Sequence, residues 1–268
     1  MIAILLCAGF ATRMYPMTRD FPKPLLPVAG KPVLDYLMDQ IVELTGLREI
    51  HIVTNARFID HFEDWQTTWR PVLRDREIRL SLHNDAATAN ANRLGAVRDL
   101  QFVLQRIPAP SRALVSAGDN IFRFRLQPRC QQFLDSDESY VFALPETDAA
   151  RLRETGVLTL DNANRVLRLH EKPQSPSSTW SCPPLYFLQS SAWPRLNEYL
   201  QASDQCDAPG SFIDFLCRRE TVYAFKLEAY RLDIGSLETY READKRLKTE
   251  PVILGKSAQP RCPEKRTI

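Results

Sequence analysis

The residue types best suited to chemistry gather near the start of the chain. Leu6-Cys7-Ala8-Gly9-Phe10-Ala11-Thr12-Arg13 closes an apolar run with small side chains and a glycine, and Pro22-Lys23-Pro24 follows shortly after. Small residues at Ala8, Gly9 and Ala11 let the backbone approach a ligand closely, and consecutive N–H groups in such a loop can wrap an anion. Arg13 and Lys23 add two positive charges beside it, so the natural guest is rich in phosphate. Two aspartates follow apolar runs much further along, in Gly118-Asp119-Asn120 and Leu232-Asp233-Ile234-Gly235. Either one alone serves equally well as a turn residue or a helix cap. Glu171-Lys172 ahead of Pro173 reads, in isolation, as a solvated charge pair, and Gly156 reads as a turn.

The elements that must position these residues can be read from hydrophobic spacing. Ile2 to Leu6 is a buried strand, Leu34, Leu37, Met38, Ile41 and Val42 recur with helical spacing, and Glu49 to Thr54 is a second strand. Together they make a βαβ unit whose first turn holds the glycine loop, which in open parallel sheets places a ligand at the strand ends. Trp65 and Trp69 are four apart on a helical segment and read as a packing stripe. Ile78 to Leu82 reads as a strand, Arg93 to Arg106 as a helix ended by Pro108 and Pro110, and Ala113 to Ala117 as a strand that delivers Asp119 to the sheet edge. Strands are expected at Tyr140 to Leu144, Val157 to Leu160, Val166 to His170, Leu185 to Leu188 and Val222 to Leu227. Helices are expected at Ala192 to Leu200, Phe212 to Arg218 and Leu237 to Leu247. The fold class is α/β, a Rossmann-like mixed, mainly parallel sheet flanked by helices. We read residues 1–248 as one domain, with a nucleotide-binding half (1–125) and an acceptor-binding half (126–248), and 249–268 as a loose tail.

Gly9, Thr12, Arg13, Thr18, Pro22, Lys23 and Pro24 fall on a longer pattern, G-x-G-T-R, four residues, T, a short gap, then P-K-P. In this the chain resembles the sugar-phosphate nucleotidyltransferases, most of all the short thymidylyltransferase-like enzymes. They join a nucleoside triphosphate to a sugar 1-phosphate and release pyrophosphate. The resemblance implies that Ala8, Gly9, Ala11 and Thr12 hold the nucleotide, that Lys23 contacts the transferred phosphate and that Arg13 contacts the leaving pyrophosphate. It also implies Mg2+ held by Asp119 and Asp233, whose oxygen donors suit that ion. Glu171 would grip sugar hydroxyls, Lys172 the sugar phosphate, and Gly156 would lie against the sugar. In relatives a glutamine five residues before the glycine equivalent to Gly95 reads the pyrimidine edge, and here that position is Asn90. The chain departs from the pattern at Ala11, where relatives have glycine, and at Pro183-Pro184. A methyl at Ala11 fits if φ is negative and crowds a triphosphate if φ is positive.

Composition narrows the remaining classes. The net charge of +2 over 268 residues does not indicate nucleic-acid binding, and 44% hydrophobic content supports a sizeable core. Six cysteines without C-x-x-C spacing suggest neither a zinc site nor a disulfide framework, and the four histidines form no ligand spacing. The opening apolar run is short for a signal peptide and no stretch approaches a membrane span, so a cytoplasmic protein without membrane partners is expected. A nicotinamide fingerprint, G-x-G-x-x-G, fails at Ala11 and Met14. A cytidylyltransferase for a non-sugar phosphate, a binding homologue without turnover, and a homo-oligomer of the kind common among relatives stay open.

Overall fold

The computed structural model describes residues 1–204 and 206–250; of the expected tail, all but Thr249 and Glu250 lies outside them. The first strand, β1 (Ile2–Leu6), is apolar throughout because both its faces are covered. Ala3 and Leu5 enter one core and Ile4 and Leu6 another. The chain leaves β1 through the glycine loop, makes a small ribbon of β2 (Pro27–Val28) and β3 (Lys31–Pro32), and enters α1 (Val33–Ile41). From there β4 (Glu49–Thr54) returns parallel to β1, Ile2 beside Glu49 and Leu6 beside Val53. The crossover repeats through α2 (Ile59–Asp75), β5 (Arg79–Asn84), α3 (Ala96–Leu104) and β6 (Arg112–Ala117), with β5 parallel to β4 and β6 parallel to β1.

The remainder contains β7 (Asn120–Phe122), α4 (Gln127–Leu134), β8 (Ser139–Pro145), α5 (Ala149–Leu152), β9 (Gly156–Leu160), β10 (Val166–Glu171), β11 (Trp180–Cys182) and β12 (Leu185–Gln189). It ends with α6 (Ala192–Ala202), α7 (Pro209–Cys217), β13 (Val222–Lys226), β14 (Arg231–Asp233) and α8 (Leu237–Thr249). Ten strands form one sheet in the order β10-β9-β11-β8-β12-β6-β1-β4-β5, with β13 alongside β8. Traced through its pairings, β1, β4, β5, β6, β8, β9 and β13 run one way and β10, β11 and β12 the other, which is the mixed, mainly parallel sheet expected.

Helices α1, α2 and α4 cover one face, and α3, α6 and α7 the other. A third, smaller core lies beside the sheet. Met14, Leu26 and Val28 from the long loop pack there with Ile121 of β7, Leu232 of β14 and Ala243 and Leu247 of α8. The loop is thereby fastened to the two-stranded pair that carries Asp119 and Asp233 at its end.

Three departures from the expected elements have local causes. α3 starts at Ala96 rather than Arg93 because Gly95 sits at φ +89, where a Cβ would come within 2.7 Å of the Cys206 carbonyl oxygen. α7 begins earlier than Phe212, with Pro209 in its first turn, where the missing N–H costs nothing. α8 carries on to Thr249, whose hydroxyl donates to the Arg246 carbonyl at 3.0 Å. Among the described residues no helix is long and apolar enough to cross a membrane.

Trp65 and Trp69 pack into the first core as the spacing implies. Both indole N–H groups donate to one oxygen, Asp35 Oδ1 of α1, at 2.7 and 3.0 Å. Asp35→Leu leaves both indoles unpaired, and urea denaturation is expected to show a loss of about 2–4 kcal/mol. Asp35→Asn, which keeps a carbonyl oxygen, should lose much less.

Candidate active site

The carboxyl ends of β1 and β6 open into a cleft of about 420 Å³ that extends to β9, β10 and β11. Its floor is drawn tight by hydrogen bonds between strand ends, Cys7 N to Val53 O at 2.8 Å and Gly118 N to Leu6 O at 3.1 Å. Gly118 must be a glycine here, since a Cβ would lie 2.4 Å from Cys7 Sγ. The loop residues Ala8, Gly9, Ala11 and Arg13 line one side, and Thr12 does not reach the wall. Ala11 takes the left-handed conformation, φ +48, and its carbonyl accepts from Thr18 Oγ1 at 2.8 Å and from Met14 N at 2.9 Å. The methyl is therefore held in the backbone region that crowds a close ligand.

Lys23 and Asp119 meet at the floor, Nζ to Oδ2 at 2.5 Å, and Asn120 Nδ2 donates to Asp119 Oδ1 at 2.7 Å. Burial pushes the Asp119 carboxyl up, but the Lys23 ammonium and, further off, Arg231 outweigh it and hold the group below the usual carboxylate range. Asp233 stands on the neighbouring strand opposite Asn120, with Ile234 N donating to Asp119 O at 3.2 Å. Its side chain is half exposed, and Arg231 lies 3.8 Å away. Asp119, in the turn before β7, and Asp233, on β14, bring carboxylate oxygens to this end of the cleft, a donor type suited to a magnesium ion that takes its remaining ligands from water and phosphate. No group of three or more His, Cys, Asp or Glu suited to a metal occurs among the described residues.

The opposite wall carries Gly156, Glu171 and Lys172, with Gly156 and Glu171 paired across β9 and β10. Burial pushes the Glu171 carboxyl up, while Lys172, the Gly210 N–H and Arg231 pull the other way. Gly210 opens α7 against it, and a Cβ there would lie 1.9 Å from Glu171 Oε1. Arg13 reaches across the mouth to Glu154 at 3.7 Å, but both side chains are well exposed, so the contact is weak.

Asn90 does not line the cleft: it sits in an exposed turn (Asn90–Asn92) whose carbonyl accepts from Arg93 Nη1 at 2.8 Å. Counting back from Gly95 crosses that turn, and this carries the amide away from the wall. Two groups were missed by the sequence reading. Arg231 lines the cleft and donates to Asn120 Oδ1 and, at 2.9 Å, to Thr155 Oγ1. Asp99 of α3 also lines it, beside the Asp85 carboxyl just past β5, both being about 6% exposed. Burial first, and the Asp85 carboxylate second, push the Asp99 carboxyl up to about 8.

Fold and cleft together define an α/β protein whose cleft lies at the carboxyl ends of parallel strands, where such sheets bind their ligands. The chain belongs to the nucleotidyl transferase family, which residues 2–250 match. It is 27% identical over 256 residues to the UTP–glucose-1-phosphate uridylyltransferase AglF of Haloferax volcanii, covering 93% of this chain and 98% of that protein. It is 26% identical over 251 residues to the bifunctional protein GlmU of Methanocaldococcus jannaschii, covering 92% of this chain and 54% of the relative. The chain thus spans about half the length of that relative. In fold it is similar to a putative glucose-1-phosphate thymidylyltransferase from Bacillus anthracis (TM-score 0.79, 19% identity, 96% of this chain and 98% of that one). It is similar also to a UDP-glucose pyrophosphorylase solved with UDP-glucose (TM-score 0.78, 18% identity, 93% and 98%).

The buried acid pair sets a pH dependence. Folded protein keeps a proton on Asp99 between its ordinary value of 3.8 and about 8, where the unfolded chain has lost it. The stability tied to that proton is full below the lower value and falls as pH rises to the upper one. Melting temperature should decline across that window, and Asp99→Asn should flatten the decline.

Proposed function

We propose that this protein transfers a nucleotidyl group from a pyrimidine nucleoside triphosphate to a sugar 1-phosphate and releases pyrophosphate. The observation that carries the reading is the Lys23–Asp119 pair, set between an anion-wrapping loop on one side and the Glu171–Lys172 wall on the other. An oxygen of the sugar phosphate attacks the α-phosphorus in line, the bond from that phosphorus to the bridging oxygen of the β-phosphate breaks, and pyrophosphate leaves.

The loop amides hold the triphosphate, and Lys23 moves from Asp119 onto the transferred phosphate, where charge rises in the transition state. Arg13, free to swing at the mouth, takes the leaving pyrophosphate. Lys172 and Arg231 hold the acceptor phosphate, and Glu171 accepts from sugar hydroxyls. Asp119 and Asp233 would hold a magnesium ion, which supplies charge neutralisation to the phosphate oxygens when bound. The named activity of AglF and the UDP-glucose of the second structural neighbour support a uridylyl donor and a hexose 1-phosphate acceptor, and the name of the first structural neighbour supports a thymidylyl donor. A cytoplasmic setting agrees with five free, buried cysteines among the described residues. One observation favours a second reading, nucleotide binding without turnover: the left-handed Ala11 crowds the loop.

Incubation with UTP, dTTP or CTP, magnesium and a panel of sugar 1-phosphates should release pyrophosphate for at least one pair. Asp119→Ala should lower the rate by about 100-fold or more with the fold intact. Tight nucleotide binding with no pyrophosphate from any pair supports the second reading.

A further inference from the structure

The cleft leaves one wall without a task once the loop and Lys23 hold phosphates and Glu171 and Lys172 face the acceptor. It is built from the end of β1 and the first turn of α3. Leu6, Ala8 and Ala96 make it apolar, and Gly95, with no side chain, stands at the helix start. Such a surface suits a planar ring. Arg93 stands at its rim but is engaged by Asp207 at 2.7 Å. The buried polar side chain on this wall is Asp99.

Asp99 and Asp85 are an unusual pair. Asp99 Oδ1 and Asp85 Oδ2 are both fully buried with no donor, and each carboxylate alone can only accept. The remaining oxygen of Asp85 is satisfied by Ala87 N at 2.8 Å. One proton shared between the two acids satisfies both orphan oxygens and removes a like-charge contact. Asp99 Oδ2 is then the oxygen left to face the cleft, and it accepts whichever of the two acids carries the proton.

We propose that Asp99, backed by Asp85, reads the base of the bound nucleotide by accepting a hydrogen bond from the ring N3–H of uracil or thymine. The inference rests on the pyrimidine nucleotide reading above, and it moves base recognition from the exposed Asn90 to α3. A pair that holds one proton carries a single negative charge and still offers an acceptor to the base, without placing a second full negative charge near the triphosphate. An apolar slot with one acceptor at its base accepts a ring that presents N–H and rejects one that has lost it.

The test is equilibrium binding of UTP, N3-methyl-UTP and inorganic tripolyphosphate by calorimetry, with no sugar phosphate present. The wild-type protein should bind UTP at least about 10-fold more tightly than N3-methyl-UTP. Asp99→Ala should bring that ratio close to one while tripolyphosphate binding holds. Asp99→Asn should rescue the ratio, because its amide nitrogen can donate to Asp85 and its oxygen can face the ring. Should Asp99→Ala fail to fold, Asp99→Ser, which still donates to Asp85 but has no second oxygen, gives the same readout. Equal affinity of the wild type for UTP and N3-methyl-UTP overturns the inference, as does an unchanged ratio in Asp99→Ala or Asp99→Ser. A wild type that shows the ratio but releases no pyrophosphate with any acceptor keeps the inference and removes the transferase reading. One that binds tripolyphosphate but no UTP removes both.

Discussion

The ion pair between Lys23 and Asp119 is the contact on which the site depends. It joins the loop after β1 to the turn after β6, segments 96 residues apart in the chain. An ammonium and a carboxylate so placed each need the other while nothing else is bound, because either one alone would be a half-buried charge without a partner. The pair also keeps both groups ready for exchange. A phosphate can take the ammonium and a cation can take the carboxylate, so an incoming cation–phosphate unit replaces one salt link with two. The small core of Met14, Leu26, Val28, Ile121 and Leu232 makes this repeatable by fixing the loop to the β7–β14 ribbon. Asp233 inherits its position from the same ribbon, which makes packing beside the sheet the source of order at the carboxylates.

On the acceptor side the logic is reversed: there a buried acid is held by backbone and the cations are spread around it. Glu171 receives the Gly210 N–H at the start of α7, and Arg231 bridges Asn120 and Thr155, so β7, the segment before β9, and β14 share one guanidinium. The cleft therefore has Lys23, Asp119, Glu171 and Arg231 at depth, and the exposed Arg13 toward the mouth. Two polyanions entering such a cleft meet positive charge first, and local charge matters more here than the nearly balanced total.

Much of this was legible in the sequence, for identifiable reasons. β1 is covered on both faces and reads as an unbroken apolar run, β4 and β6 are apolar apart from Glu49, His51, Thr54, Arg112 and Ser116, and α1 and α8 repeat their apolar residues at helical spacing. The loop and its two cations lie close together in the chain, so their spacing survives as a pattern. What stayed hidden was short or remote. β7, β11 and β14 have three residues each, too few to show a period, and α4 buries only Cys130 and Phe133. Arg231 is one arginine among many until its partners, 111 and 76 residues away, are known. Asp85 and Asp99 look like two solvated acids in the sequence and acquire meaning only when β5 and α3 bury them against each other. Asn90, five residues before Gly95, lies in an exposed turn rather than on the cleft wall, since a fixed offset takes no account of the turn between them.

The account rests on exchange at the cleft floor, and a crystal structure of the protein with magnesium and a non-hydrolysable UTP analogue tests it most directly. It predicts one oxygen of Asp119 and one of Asp233 at about 2.1 Å from a single ion, with Lys23 Nζ moved from Asp119 to a phosphate oxygen. An ion held elsewhere, or Lys23 still paired with Asp119 while the triphosphate lies outside the loop, would contradict it.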